Sequence, residues 1–246
     1  MNETVLEENN IQNLKNLFKT MGATSHIYDK DKTLYISKTW PNRAWADYNY
    51  NEQDIQALVS KVAEKNIPYT ISLCDKKDES NILNENILGK NGFKITFEQI
   101  AMVLDVKNNS DKQNSNLKFN YINTQNEIEM WVKIASESFS KQINKDVIKK
   151  ILNNENIQLL LAYKDNKAVG TALVFLSSDV IGVHLVGVPS ENRGQGIARD
   201  IMIETINYAK KQKVSFLTLQ ASSLGLGIYK RLGFKEQFVL KNYMKK

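Results

Sequence analysis

The sequence predicts a mixed α/β (α+β) fold in two units, and three observations carry that expectation. Apolar residues recur at helical spacing in some segments and in short runs of β-favouring residues in others. The stretch "KNNSDKQNSN", 107–116, has no apolar member and separates two patterned regions, so it reads as a linker. At 246 residues the chain also exceeds the usual size of one domain. The expected division is a unit at 1–106, the linker at 107–116 and a second unit at 117–246.

In the first unit Ile11, Leu14, Leu17, Phe18 and Met21 mark one face of a helix, as do Ile55, Leu58, Val59, Val62 and Ala63. Apolar runs at 69–73 and 100–106 predict strands. In the second unit "LKFNYI" predicts a strand. Two helices follow, one with Ile128, Trp131, Ile134, Ala135 and Phe139 on a face, the next with Val147, Ile148, Ile151 and Leu152. "IQLLLAYKDNKAVGTALVFL" reads as a hairpin, because Asp165 and Asn166 suit a tight turn between two apolar runs. "VIGVHLVGV" is a third strand, and the segment after it places Ile197, Ala198, Ile201, Met202, Thr205, Ile206 and Ala209 on one side of a helix. "VSFLTLQ" is a strand, "LGIYKRL" a short helix stopped by Gly233, and "EQFVLKNYM" a last strand. The order β-α-α-β-β-β-α-β-α-β gives a mixed sheet with helices on both faces.

Composition removes several function classes. No apolar run approaches the roughly 18 residues a membrane helix needs, and "MNETVLEENN" lacks the basic and apolar regions of a targeting peptide. A cytoplasmic protein is expected. One cysteine, Cys74, and two histidines, His26 and His184, argue against a disulfide or a metal centre; Cys74 reads as a small buried hydrophobe. Residues 117–246 carry 19 Lys and Arg against 11 Asp and Glu, while 1–116 carry 14 against 16. A basic second unit suits an anionic partner or simply a solvated lysine-rich surface. Nucleic acid is not expected, since neither a recognition helix nor aromatic and basic residues in alternation are found.

"VGVPSENRGQGIARDIM", 186–202, concentrates one proline and three glycines between a strand and a helix. Such a turn exposes unpaired amides at the positive end of a helix dipole, which is an anion site. Glycine lets a phosphate approach those amides and permits positive φ. Neither G-x-x-x-x-G-K-[ST] nor G-x-G-x-x-G is present, so the common nucleotide signatures do not apply. A purely structural turn fits this segment equally well when it is taken alone.

Arg193-x-x-Gly196-x-Ala198 resembles the R/Q-x-x-G-x-G/A acetyl-CoA loop of the GNAT acetyltransferase superfamily. "LVGV" before it is similar to the family's fourth strand, and "LQASSLGLGIYKRLGF" to its next strand and short helix, ending in Tyr229-x-x-x-Gly233-Phe234. The resemblance covers 117–246. It implies that acetyl-CoA is the acetyl donor, with pantetheine along the backbone of Val186, Gly187 and Val188. Pyrophosphate would lie on the turn at Arg193, Gly194, Gln195, Gly196, Ile197, Ala198 and Arg199. Ser222 and Ser223 fall where the family places a polar side chain near the cofactor; capping of the following helix is the alternative. Tyr229 matches the family's general acid, and a packed aromatic is the alternative reading. The fourth and fifth strands lack the family's carboxylate base, which leaves His184 as a catalytic candidate, with a satisfied core histidine, water, or an amine arriving neutral as alternatives.

"LGKNGFKITFEQIAMVLDV" aligns with "YKRLGFKEQFVLKNYMKK", placing Leu88 opposite Tyr229 and Gly92-Phe93 opposite Gly233-Phe234. The first unit therefore resembles a second, degenerate GNAT domain without the turn or the phenol, as in tandem GNAT proteins. Trp40, Trp45, Tyr48 and Tyr50 line either an acceptor cleft or a domain junction. The implied activity is N-acetylation of a primary amine, the acceptor being unidentified; a CoA-binding sensor or scaffold is the competing reading. The sequence leaves a homodimer open.

Overall fold

The computed structural model describes residues 2–46, 50–65, 67–75, 79–108, 115–177 and 179–245. Tyr48 and the linker positions 109–114 lie outside them. The first half contains α1 (Glu3–Thr20), β1 (Ala23–Asp29), β2 (Lys32–Ser37), β3 (Arg43–Ala46), α2 (Glu52–Ala63), β4 (Thr70–Asp75), α3 (Glu79–Lys90) and β5 (Phe93–Asp105). The second contains β6 (Lys118–Tyr121), α4 (Gln125–Phe139), α5 (Lys145–Ile151), β7 (Ile157–Lys164), β8 (Lys167–Ser177), β9 (Val180–Gly187), α6 (Ile197–Lys211), β10 (Phe216–Ala221), α7 (Ser223–Arg231) and β11 (Lys235–Lys245). The expected mixed α/β architecture is present. Asp165 and Asn166 both take positive φ, 49° and 62°, as a tight turn between right-twisted strands requires.

The halves repeat one pattern. The run β1-β2-β3-α2-β4-α3-β5 recurs as β7-β8-β9-α6-β10-α7-β11, and in each copy a glycine of positive φ, Gly92 or Gly233, ends the last helix before the last strand. The strands form one continuous sheet in the order β1-β2-β3-β4-β11-β5-β10-β9-β8-β7-β6. It is mostly antiparallel, with β3–β4 and β9–β10 parallel. Each half gives its last strand to the other: β11 pairs with β4, β5 pairs with β10, and β5 and β11 pair with one another from Phe93–Lys245 to Val103–Lys235. The exchange joins the strands of both halves into one sheet that runs past the expected 107–116 linker.

Period-two alternation sends successive strand residues to opposite faces. Leu159, Leu161, Leu173 and Phe175 pack beneath α4 and α5 around Trp131, which is fully buried and donates Nε1–H to Ala172 O. Leu160, Ala162 and Ala172 meet Ile197 and Ile201 of α6 on the other face. Further along, Ile181, Val183, Leu217 and Leu219 support α6 and α7. Helix α1 belongs to the first half yet lies over strands of the second. Its buried Asn10 donates to Met102 O and accepts from Gln220 Nε2, while buried Asn13 donates to Phe175 O. These bonds fix α1 across the junction of the halves, because polar groups buried there would be costly without partners.

Candidate active site

The turn between β9 and α6 is shaped by glycine and arginine. Gly194 and Gly196 have φ of 76° and 80°, and a Cβ at either would meet open space. The strain that a side chain would bring is therefore backbone strain, and the space above the turn is free for a ligand. Gly196 occupies the cap position of α6 without a side-chain capping bond, and the first bond into the helix runs from Asp200 N–H to Gly196 O. The amides preceding Asp200 have no intrahelical acceptor and point toward that space. Arg193 is committed to the scaffold: Nε–H donates to Val188 O at 3.0 Å and Nη2–H to Ser138 O at 2.9 Å. It ties the exit of β9 to the end of α4 and so positions the turn. Gln195 accepts from Lys164 Nζ, and half-exposed Arg199 lies 3.7 Å from Asp200. Ile197 is buried against the sheet, while Ala198 sits half-buried in the first turn of α6.

Leading from that turn, β9 and β10 separate. Their pairing is confined to Ile181–Leu217 and Gly182–Thr218, so the stretch from Val183 to Gly187 runs without β10 beside it. At Leu185, φ is 50° and the register with β8 slips between Thr171 and Leu173. This bulge takes Leu185 and Val186 out of the regular ladder beside the gap, with Leu185 O accepting instead from the Thr171 hydroxyl. Tyr229 stands on α7 beside the gap, its ring edge-on to Phe234 at 5.8 Å. Burial pushes the phenol up to about 12, so it holds its proton at neutral pH. Gly225 makes this possible, since a Cβ there would lie 2.7 Å from the Tyr229 ring. Ser222 has the position of the α7 cap but makes no side-chain capping bond, so its hydroxyl stays available in the cleft; Ser223 is exposed.

The gap opens into a cleft of about 470 Å³. Val183 to Val186, Leu219, Ser222 and Tyr229 form one side; Phe18 and Met21 of α1, Trp40 to Arg43, Phe97 and Gln99 form the other. The cleft thus lies between the halves, and of the four aromatics expected around it Trp40 is on its wall. Trp45 is buried between Phe18 and Tyr35, and Tyr50 is half-buried, reached by the amide of Ala46. Among the described residues no aspartate or glutamate lines the cleft, and Arg43 and Lys141 are its charged residues.

His184 lines this cleft as a buried, satisfied side chain. Its Nε2 lies 3.0 Å from Asn13 Oδ1, and Gly182 leaves room for the pair, since a Cβ at 182 would collide with both. Asn13 Nδ2 donates to Phe175 O, which makes Oδ1 the acceptor and assigns the His184 proton to Nε2. Burial pulls the imidazole down to about 4, so it is neutral and weakly basic. The neighbouring Thr218 hydroxyl is buried without a partner among the described residues, and Gln220 is held by Asn10.

The equivalent position in the first half is closed. The N-terminus of α2, counterpart of α6, carries a complete capping box: Asn51 accepts from Asp54 N–H and Asp54 accepts from Asn51 N–H. Burial raises the Asp54 carboxyl, but the Asn51 amide, Tyr28 and Lys32 outweigh it and hold it below the usual range. An anion of the chain's own already occupies that helix end, and buried Leu88 stands where the second half has Tyr229. Cys74 on β4 packs near Ile11, Leu14 and Leu240. Among the described residues no cluster of His, Cys, Asp and Glu is placed to hold a metal, and no helix is long and apolar enough to cross a membrane.

Residues 110–243 match the model of the acetyltransferase (GNAT) domain family. No curated protein matches the chain. Among solved structures, a GCN5-related N-acetyltransferase from Kribbella flavida shares 13% identity at TM-score 0.72, over 99% of this chain and 95% of that one. A functionally unknown conserved protein from Staphylococcus epidermidis ATCC 12228 shares 18% at TM-score 0.67, over 92% and 94%. A tandem GNAT protein from the clavulanic acid biosynthesis pathway shares 9% at TM-score 0.59, over 87% and 78%. Such identities speak for the fold, and the family model spans more than half of the chain. The chain therefore belongs to the GNAT family and is an acyltransferase.

Proposed function

We propose that the protein transfers an acetyl group from acetyl-CoA to the primary amine of an acceptor held between its halves. The observation that carries this reading is the alignment of an uncapped helix terminus, a gap between parallel strands and a protonated phenol along one continuous path. The residues present suit the donor: open amides at 194–199 for pyrophosphate, backbone at Val186 to Val188 for the extended arm, and the Ser222 hydroxyl beside it. Bound acetyl-CoA would supply the activated acetyl group, its C–S bond breaking as the amine forms the C–N bond. Tyr229 gives its proton to the departing sulfur. Amides released by the bulge at Leu185 polarise the carbonyl. With His184 neutral and no carboxylate on the wall, the described residues offer no strong base. The amine therefore reacts as the neutral form, which the cationic wall favours by raising the cost of an ammonium there, and the proton it sheds as the amide forms passes through water and restores the Tyr229 phenol. In this reading the first half is a degenerate domain that shapes the acceptor site, and a donor made inside cells gives the reaction a cytoplasmic setting.

The missing carboxylate also favours a second reading, a CoA-binding sensor that has lost turnover. Thiol release from acetyl-CoA across a panel of primary amines separates the two. Amine-dependent release at a rate well above hydrolysis is expected. Binding of acetyl-CoA with no amine-dependent release would make the protein a sensor, and no binding at all would overturn both readings.

A further inference from the structure

The cleft carries two cations that no acidic side chain among the described residues answers. Arg43 begins β3, with one guanidinium nitrogen, Nη1, donating to Asn242 Oδ1 at 2.8 Å and Ser72 Oγ at 3.2 Å. Its Nε is buried without a hydrogen-bond partner among the described residues. Phe18 and Phe97 flank it, with ring centroids 5.4 and 5.7 Å from the guanidinium carbon. Lys141, from the loop after α4, approaches the same Phe97 ring at 5.8 Å. Neither cation takes part in any ion pair found among the described residues. Both line a cleft to which the described residues contribute no carboxylate. Burial lowers Arg43 to about 10, which still leaves it charged at neutral pH.

A shielded guanidinium held by neutral oxygens and aromatic faces is an incomplete arrangement. Buried charges are ordinarily paired, and a planar fork with spare donors matches an oxyanion. Asn242 and Ser72 engage Nη1 and fix the orientation of the group, while Nη2 has no partner among the described residues and is left for a ligand oxygen.

We propose that the acceptor is an amino acid in the broad sense, an amine that also carries an oxyanion, and that Arg43, assisted by Lys141, receives this anion. The inference rests on the proposed amine acetylation and adds the acceptor's chemical class to it. Arg43 is then a specificity-determining residue: it holds the far end of the acceptor while the amine reaches the gap beside Tyr229.

The test uses the full chain saturated with CoA and matched ligands: ω-amino acids of two to six carbons, the corresponding amides, and phosphoethanolamine as the phosphate arm. Binding is followed by fluorescence of the tryptophans, of which Trp40 lines the cleft. At least one oxyanion in the series should bind about tenfold or more tightly than its neutral counterpart. Arg43→Met should erase that preference, and Arg43→Lys should retain part of it because charge survives without the fork. Unchanged CoA affinity and unchanged circular dichroism certify the variants as folded. Equal binding of acids and amides by the parent, absence of acid binding across the series, or a preference that survives Arg43→Met in a folded protein would each overturn the inference. Failure of the parent to bind CoA would instead strike the acetyltransferase reading, so the two failures are distinguishable.

Discussion

Lowering the pH should destabilise the fold through His184, and the structure sets both the sign and the size. The imidazole titrates near 4 when folded, because burial disfavours its charge, against 6.5 for the unperturbed side chain. Between those values the unfolded chain binds a proton that the folded chain refuses. The contribution is therefore fully present above pH 6.5 and is lost as pH falls through the window to about 4. Two and a half pH units of difference correspond to about 3 kcal/mol. Asn13 adds a geometric reason, because its Oδ1 already accepts the proton on Nε2 and a second ring proton at Nδ1 would need another buried acceptor. Urea unfolding at intervals from pH 7.5 to 4.5 measures this directly. With a slope of about 2–3 kcal/mol per molar urea, the midpoint should fall by about 1 M from this group alone. Carboxylates titrate over part of the same range, so the informative quantity is the difference between the parent and His184→Gln. The variant should be less stable at pH 7.5 and its pH dependence flatter. Parallel curves for the two proteins would refute the assignment of His184 as a buried neutral residue and reopen its role as a base.

Tyr229→Phe should keep the fold, since the hydroxyl takes no protein partner among the described residues, and should lower kcat about 100-fold, the low end for loss of a general acid; a drop accounted for by lost acetyl-CoA affinity would reassign the residue to binding. Gly196→Asn, whose side chain tolerates the left-handed φ of 80°, should weaken acetyl-CoA at least about tenfold by calorimetry. The parent should titrate with one acetyl-CoA per chain, because the Asn51–Asp54 box closes the other helix end; a stoichiometry of two would contradict that reading.

The parts of the site that sequence revealed are those where local geometry demands a particular residue. Gly194 and Gly196 need positive φ, and Asp165-Asn166 marks its hairpin, because neither requirement depends on distant partners. The strand exchange was not legible. β5 and β11 follow equivalent Gly-Phe turns and carry similar apolar patterns, so either would pair acceptably with β4 or β10, and only three-dimensional connection decides. Three short strands, β1 to β3, also escaped, lying in a segment where polar residues interrupt the alternation.

Arg43, the residue proposed to hold the acceptor, has no signature in the sequence. In "TWPNRAWADYNY" the aromatics stand out by composition, while a single arginine carries no pattern of its own. Sequence contains no sign that Asn242, 199 positions away, would hold this side chain. The signal that was available lay in α1, where Asn10, Asn13 and Asn16 recur every three residues beside an apolar face. Three amides in register on a helix imply a polar seam that must be satisfied by another element, hence a helix docked over strand carbonyls rather than a free amphipathic surface. That seam brings α1 over β9, neutralises His184 as a base and forms one wall of the cleft that Arg43 lines. The same helix thus ties the absence of a strong base to the presence of an anion-seeking wall, and a reaction run at such a site depends on where the acceptor is held more than on who takes its proton.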